Sequence, residues 1–339
     1  MNGIIKIKYK NIKNIVVKFI IIILFSNFNI LFNFFLIKKN NIYHFNSYYI
    51  EQNNNTFIII KYNCKICGLF CIFFNFLNCI NTFVNKGYIP IMDLSSHPNI
   101  FNNFNYNDSN KNPWEIYFHQ PFRFTLEEVK ANSKNIIYFD FNNHSKNICK
   151  SYGIQQYFYK NKVTLDYWHN IALKYIPIKK YIFDKSNLII HKLFKNKKNI
   201  LGILLRGTDY ISLKSRGLPI QPTPELVIND VIEINKKNKY DFFFITTEDE
   251  IIFQKFKLKF GLKLKYIHKK FSYDYNKKNY IAYNKNILGN INYQKIYLIN
   301  IIILSKCIDI ISSQTNGFYG AMILSKGFRY SKIYDFGTY

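Results

Sequence analysis

Three short segments in the second half of the chain combine residue types suited to phosphate and sugar chemistry. The first is Leu204-Leu205-Arg206-Gly207-Thr208-Asp209-Tyr210. Here an apolar run ends in an arginine, whose forked and permanently charged guanidinium suits a phosphate or pyrophosphate. Gly207 next to it lets backbone approach a ligand. Asp209 is spaced to orient the guanidinium through a bidentate pair, and the plainer alternative is an Arg-Asp pair tying a strand to its loop. The second segment, Thr246-Thr247-Glu248-Asp249, offers hydroxyls and a carboxylate to a base, a ribose or a sugar. Read alone, it is also a helix N-cap followed by acids that complement the helix dipole. The third, Ser312-Ser313-Gln314-Thr315-Asn316-Gly317, leads into a helix over Phe318 to Leu324. Hydroxyls and free backbone N–H groups at a helix amino terminus form an anion site, with ordinary capping as the simpler role.

The surrounding pattern predicts the elements that must position these groups. Thr56 to Tyr62 is a β-branched strand. A Cys-Gly turn follows, then an amphipathic helix between Lys65 and Lys86, with Asn75, Asn78, Thr82 and Asn85 on its polar face. Tyr88 to Leu94 is the next strand, completing a βαβ unit. Asn99 to Pro113 reads as a loop, Thr125 to Ala131 as a capped helix start and Asn135 to Phe141 as a strand. Helical patterns between Leu165 and Phe194 break at Pro177, and the polar run Lys195 to Asn199 marks a boundary. The second half alternates again. Strands are expected at Ile200–Leu205, Tyr240–Thr246, Leu264–Ile267 and Ile308–Ser312. Helices are expected after Thr223-Pro224, from Ile251 to Phe260, from about Tyr293 to Lys306, and at the end. Such alternation implies two α/β halves with parallel sheets and a ligand beyond the carboxyl ends of their strands. The expected division is 1–50, 56–195 and 198–339.

Composition narrows the function classes. In 339 residues, 47 Lys+Arg against 20 Asp+Glu give a net charge of +27, which suits nucleic acid, an anionic membrane or phosphorylated small molecules. The charge is scattered rather than clustered, and no nucleic-acid-binding motif accompanies the 28 Tyr and 33 Phe, so no nucleic-acid partner is expected. With 13 Gly, 8 Pro and 19% aromatic residues, collagen-like and disordered classes are excluded. Cysteines 64, 67, 71, 79, 149 and 307 make neither a disulfide framework nor a zinc site, and the first four read as small buried residues around a helix start. Phe19 to Ile37 carries no charge and is flanked by Lys6 to Lys18 and by Lys38 and Lys39. It can span a bilayer, or lie in the interface with Ser26, Asn29 and Asn33 toward the headgroups. Residues 6–37 are therefore expected to meet a membrane surface.

Together these segments resemble the fucosyltransferase superfamily that includes α1,2-, α1,6- and protein O-fucosyltransferases, most closely its bacterial polysaccharide-associated members. The resemblance runs from about Thr56 onward. It is carried by Leu201 to Tyr210, Pro219-Ile220-Gln221-Pro222, Thr246 to Glu250, Leu304-Ser305-Lys306-Cys307 with its following turn, Gly87 to Asp93, and Trp114-Glu115-Ile116-Tyr117-Phe118-His119-Gln120-Pro121. It implies a GT-B-like fold of two facing Rossmann-like domains preceded by an N-terminal apolar helix. It also implies metal-independent, inverting transfer from GDP-fucose or a related nucleotide sugar to a glycan, with no cofactor and no metal. Arg206 matches the arginine that binds the donor diphosphate, and Thr315 and Asn316 match the hydroxyl-bearing turn that touches phosphate. Gly207, Thr247, Glu248, Asp249 and Gly317 complete the expected donor site, with Lys214 and Arg216 as further cationic candidates. The chain departs from the family pattern in carrying Leu204 two residues before its arginine and Asn300 where an acid reads guanine. Asp93 and Glu115, with Arg206 and Asp209, are the expected catalytic groups, the first two as candidate bases for the acceptor hydroxyl. The expected location is membrane-associated, with catalytic domains cytoplasmic in a bacterium and lumenal, type II, in a eukaryote.

Overall fold

Alternating apolar runs become strands and periodic ones become helices in a computed structural model that describes residues 55–62, 67–95, 112–141, 157–214, 216–267 and 291–339, with backbone only for Thr208 and Asp209. The segment Phe19 to Ile37, Cys64, Cys149 and the loop from Asn99 to Lys111 lie outside the described residues. The first half contains β1 (Phe57–Lys61), α1 (Leu69–Val84), β2 (Ile89–Asp93), α2 (Leu126–Asn132), β3 (Ile136–Asp140), α3 (Lys162–Tyr175) and α4 (Lys180–Phe194). The second contains β4 (Ile200–Leu204), a short α5 (Thr208–Ser212), α6 (Pro224–Asn238), β5 (Phe242–Thr246), α7 (Glu250–Phe260), β6 (Leu264–Lys265), α8 (Ile291–Leu304), β7 (Asp309–Ser313), α9 (Asn316–Ser325) and β8 (Tyr330–Tyr334). Two parallel sheets result, ordered β2-β1-β3 and β6-β5-β4-β7-β8. The fold is thus α/β with a three-stranded and a five-stranded parallel sheet.

Strand period fixes which residue faces which layer. In β1, Ile58 and Ile60 join one apolar cluster while Phe57 and Ile59 join another. In β4, Ile200 and Leu204 face the first cluster, and Leu201 and Ile203 face a third, built with Val227, Val231 and Phe256. That first cluster contains α1 of the first half together with Leu298 to Leu304 and Phe318 to Ile323 of the second. The two halves therefore share apolar core.

This shared core corrects the reading of α1. Half of its expected polar face is not solvated: Asn78 and Thr82 are 5% and 6% exposed, whereas Asn75 is half-buried and Asn85 exposed. The helix is covered by β2 on one side and by α3 and α9 on others. Thr82 satisfies its hydroxyl by donating to the Asn78 carbonyl at 2.9 Å, as buried polar groups must. Cys67 is corrected as well. It is disulfide-bonded, whereas Cys71, Cys79 and Cys307 are free thiols.

Close approach of α9 to α1 depends on Gly320. A Cβ there would lie 2.3 to 2.9 Å from the Phe70 ring, which is itself 1% exposed and has nowhere to move. Gly320→Ala should therefore destabilise the protein by about 1–3 kcal/mol through overpacking, even though alanine favours helix by about 1 kcal/mol. A urea midpoint equal to or above that of the wild type would contradict this packing.

Strand β8 was not foreseen. It is docked by Asp309, fully buried at the start of β7, which accepts from Tyr330 N (2.9 Å), Arg329 Nε (3.1 Å) and the Tyr240 hydroxyl. Among the described residues no helix is long and apolar enough to cross a membrane.

Candidate functional site

In the larger sheet the chain enters at β4, builds β5 and β6 on one side, then returns to build β7 and β8 on the other. The boundary between β4 and β7 is thus a topological switch point, where α/β sheets leave a crevice beyond their carboxyl ends. Leu204 pairs with Thr246 on one neighbour and with Ser312 on the other. Consequently Arg206, Glu248 and Thr315 emerge side by side from three adjacent strands, at one edge of the sheet.

Arg206 is held there but not sealed. Its side chain is 23% exposed, its Nε lies 3.2 Å from Glu248 Oε1, and its guanidinium sits 4.7 Å from the Tyr210 ring centroid. Glu248 is buried, and the same Oε1 accepts the Gly207 N–H at 2.9 Å. Glu248 is thus a carboxylate that orients the guanidinium, and the side chain of Asp209, the expected partner, lies outside the described residues. Through Oε1, Glu248 faces arginine and backbone and so fixes Arg206. Gly207 makes room for protein as well: a Cβ would fall 2.3 to 2.7 Å from the Asp249 side chain.

Asp249 and Thr247 act as caps. Asp249 Oδ1 accepts from Ile251 N (2.9 Å) and Ile252 N (3.1 Å), while Thr247 Oγ1 accepts from Asp249 N (3.1 Å). Thr315 caps α9 by accepting the Phe318 N–H at 3.2 Å. Capping of this kind leaves the first N–H groups of the helix, those of Asn316 and Gly317, directed outward. Asn316 is exposed, and Gly317 is buried against the end of β4, its Cβ position 3.4 Å from Leu204 Cδ2. The loop carrying Pro219 and Gln221 folds over β7, where Ser313 Oγ donates to Gln221 Oε1 at 2.6 Å. Asn300 is buried and lines a cavity of about 10 Å³ with Thr246, Thr247 and Tyr266, room for little more than one water. Lys214 and Arg216 are solvated.

The first-half carboxylates are occupied internally. Asp93 is fully buried; its Oδ1 accepts from Ser95 N (2.9 Å) and Ser95 Oγ (2.6 Å), and its Oδ2 pairs with Lys130 at 3.2 Å. Glu115 Oε1 accepts from Leu126 N (2.8 Å), the first residue of α2, and from Gln120 Nε2 (3.1 Å). Gln120 and Asn112 in turn clamp the backbone of Met92. Both carboxylates brace the loop after β2. Among the described residues no group of three or more His, Cys, Asp or Glu side chains is arranged to hold a metal ion.

No protein-family model and no curated protein sequence matches this chain. Solved structures do. It is similar to the NodZ alpha-1,6-fucosyltransferase soaked with GDP-fucose, at 12% identity over 80% of this chain and 92% of that one, with a TM-score of 0.45. Fucosyltransferase NodZ from Bradyrhizobium matches at 12% identity over 79% and 92%, TM-score 0.44. POFUT1 in complex with GDP-fucose matches at 8% identity over 83% and 98%, TM-score 0.43. At these identities and scores no residue or activity is carried across, and the site stands on its own geometry.

Two further residues were not among the expected site residues. Tyr297, on α8, lies within the field of Arg206. His119 is half-buried in the loop braced by Gln120, its backbone N–H donating to the Pro177 carbonyl (2.8 Å) and its Nδ1 lying 3.4 Å from Lys179 Nζ. Burial, then Lys179 and then Arg123, hold its pKa below the usual 6.5, so the imidazole is neutral at pH 7. Its contribution to stability is present above the unfolded value and is lost as pH falls through the lower folded value. A ring-proton NMR titration should place its midpoint below 6.5; a midpoint at or above that value would refute the cationic neighbourhood.

Proposed function

We propose that this protein is a GT-B-like glycosyltransferase that moves fucose from GDP-fucose to a hydroxyl of a glycan or surface polysaccharide, with inversion and without a metal. In this reading residues 56–195 form the acceptor-side domain and 198–339 the nucleotide-sugar domain. The observation that carries it is the position of Arg206, pinned by Glu248 at the switch point beside the amino terminus of α9.

The chemistry follows from charge. As the bond between the sugar and the β-phosphate breaks, negative charge collects on the leaving diphosphate. A guanidinium already oriented by a buried carboxylate, together with the outward N–H groups of Asn316 and Gly317, meets that charge without reorganising. Capping by Thr315 keeps those N–H groups aimed. We further propose that residues 6–37 attach the protein to a membrane surface, with the catalytic domains cytoplasmic in a bacterium or lumenal in a eukaryote.

Calorimetry with GDP, GDP-fucose and single-stranded RNA at two salt concentrations tests the reading. Saturable binding of both nucleotides with slow release of GDP from GDP-fucose is expected. RNA binding with a steep salt dependence, and none of GDP, would replace it with a nucleic-acid-binding protein. Nucleotide binding without any turnover on a glycan panel would make the chain an inactive scaffold.

A further inference from the structure

Tyr297 projects from the early turns of α8 toward the point where β4 ends and α9 begins. Its hydroxyl lies 2.7 Å from where a Gly317 Cβ would stand, so Gly317 is the residue that leaves it room. Arg206, Glu248 and Tyr210 all act on it electrostatically, which places the phenol within the field of the arginine site. Burial, opposed by Arg206 and reinforced by Tyr210 and Glu248, pushes the phenol well above its ordinary pKa, so it stays protonated and able to donate. Phe70 of the first half meets its ring edge-on at 5.9 Å and limits its movement. Among the described residues this hydroxyl has no hydrogen-bond partner, and Tyr297 is half-buried. A phenol held in place by packing, directed at a helix amino terminus and without an acceptor among the described residues is poised to donate to a ligand.

We propose that Tyr297 is a third oxyanion donor of the site, its hydroxyl binding a diphosphate oxygen between Arg206 and the amino-terminal N–H groups of α9. The proposal rests on the diphosphate reading of that site and adds to it a residue that the expected donor site did not include. It also explains Gly317: a side chain there would push the phenol out of line. Tyr297 donates its own proton in a hydrogen bond and transfers nothing, so it stabilises bound diphosphate in ground state and transition state alike.

Tyr297→Phe removes the hydroxyl and keeps the ring that packs on Phe70. Titrated calorimetrically, the variant should bind GDP and inorganic pyrophosphate about tenfold more weakly, as expected for one hydrogen bond to a charged group, while guanosine binds as before. A second measurement is independent of ligands. Gly317→Ala should lower the thermal midpoint in the wild type and do so much less in the Tyr297→Phe background, because the 2.7 Å contact is gone and the next contacts are at 3.3 and 3.4 Å. Equal affinities of Tyr297→Phe and wild type for GDP and pyrophosphate would overturn the proposal and leave the fucosyltransferase reading standing. So would an equal loss for guanosine, or the same Gly317→Ala penalty in both backgrounds. A wild-type protein that binds neither GDP nor pyrophosphate would bring down both.

Discussion

Arg206→Ala should lower turnover in the proposed GDP-fucose reaction by about two to three orders of magnitude, the loss expected when one preorganised donor to a developing anion is removed. The effect falls on kcat more than on KM, because the charge that Arg206 meets is larger in the transition state than in bound substrate. Arg206→Lys recovers little of it. An ammonium cannot both hold Glu248 Oε1, now 3.2 Å from Nε, and present a planar fork to a diphosphate. Steady-state measurement of GDP release decides the matter, and an unchanged kcat would remove Arg206 from the mechanism.

Trp114→Ala should cost about 3–5 kcal/mol of stability, the range for truncating a large buried aromatic residue. The indole is fully buried, meets Phe76 edge-on at 5.1 Å and lies 4.6 Å from Phe118. Those contacts tie the loop after β2 to α1, and α1 belongs to the core shared with α8 and α9. The damage should therefore spread to the donor site, and GDP binding should weaken along with the urea midpoint. A loss of less than about 1 kcal/mol would mean that the Trp114 segment is not the structural brace described here.

Much of the fold was legible because its signals are local. The short apolar runs around Ile58, Ile203 and Phe244 are strands whose neighbours in the sheet follow from alternation with helices, and that alternation brings Arg206, Glu248 and Thr315 to one edge. What was not legible depends on partners far along the chain. Asp209 is close to Arg206 in sequence and was the visible candidate; the pairing of β4 with β5 also delivers Glu248, which is far along the chain. Asn78 and Thr82 were read as a solvated stripe because a single helix cannot reveal that α3 and α9 will cover it. Strand β8 carries exposed Tyr330 and Ser331 and docks through the Arg329–Asp309 pair, so its own pattern is weak. Tyr297 was lost within an apolar helix, since only the missing side chain of Gly317 shows where its hydroxyl points.

The central claim is that a diphosphate sits at the β4–β7 switch point. A crystal structure of the protein with GDP tests it most directly. The account predicts the diphosphate within hydrogen-bond reach of the Arg206 guanidinium and of the Asn316 and Gly317 N–H groups. A nucleotide bound elsewhere, or Arg206 turned away from it, would contradict the account.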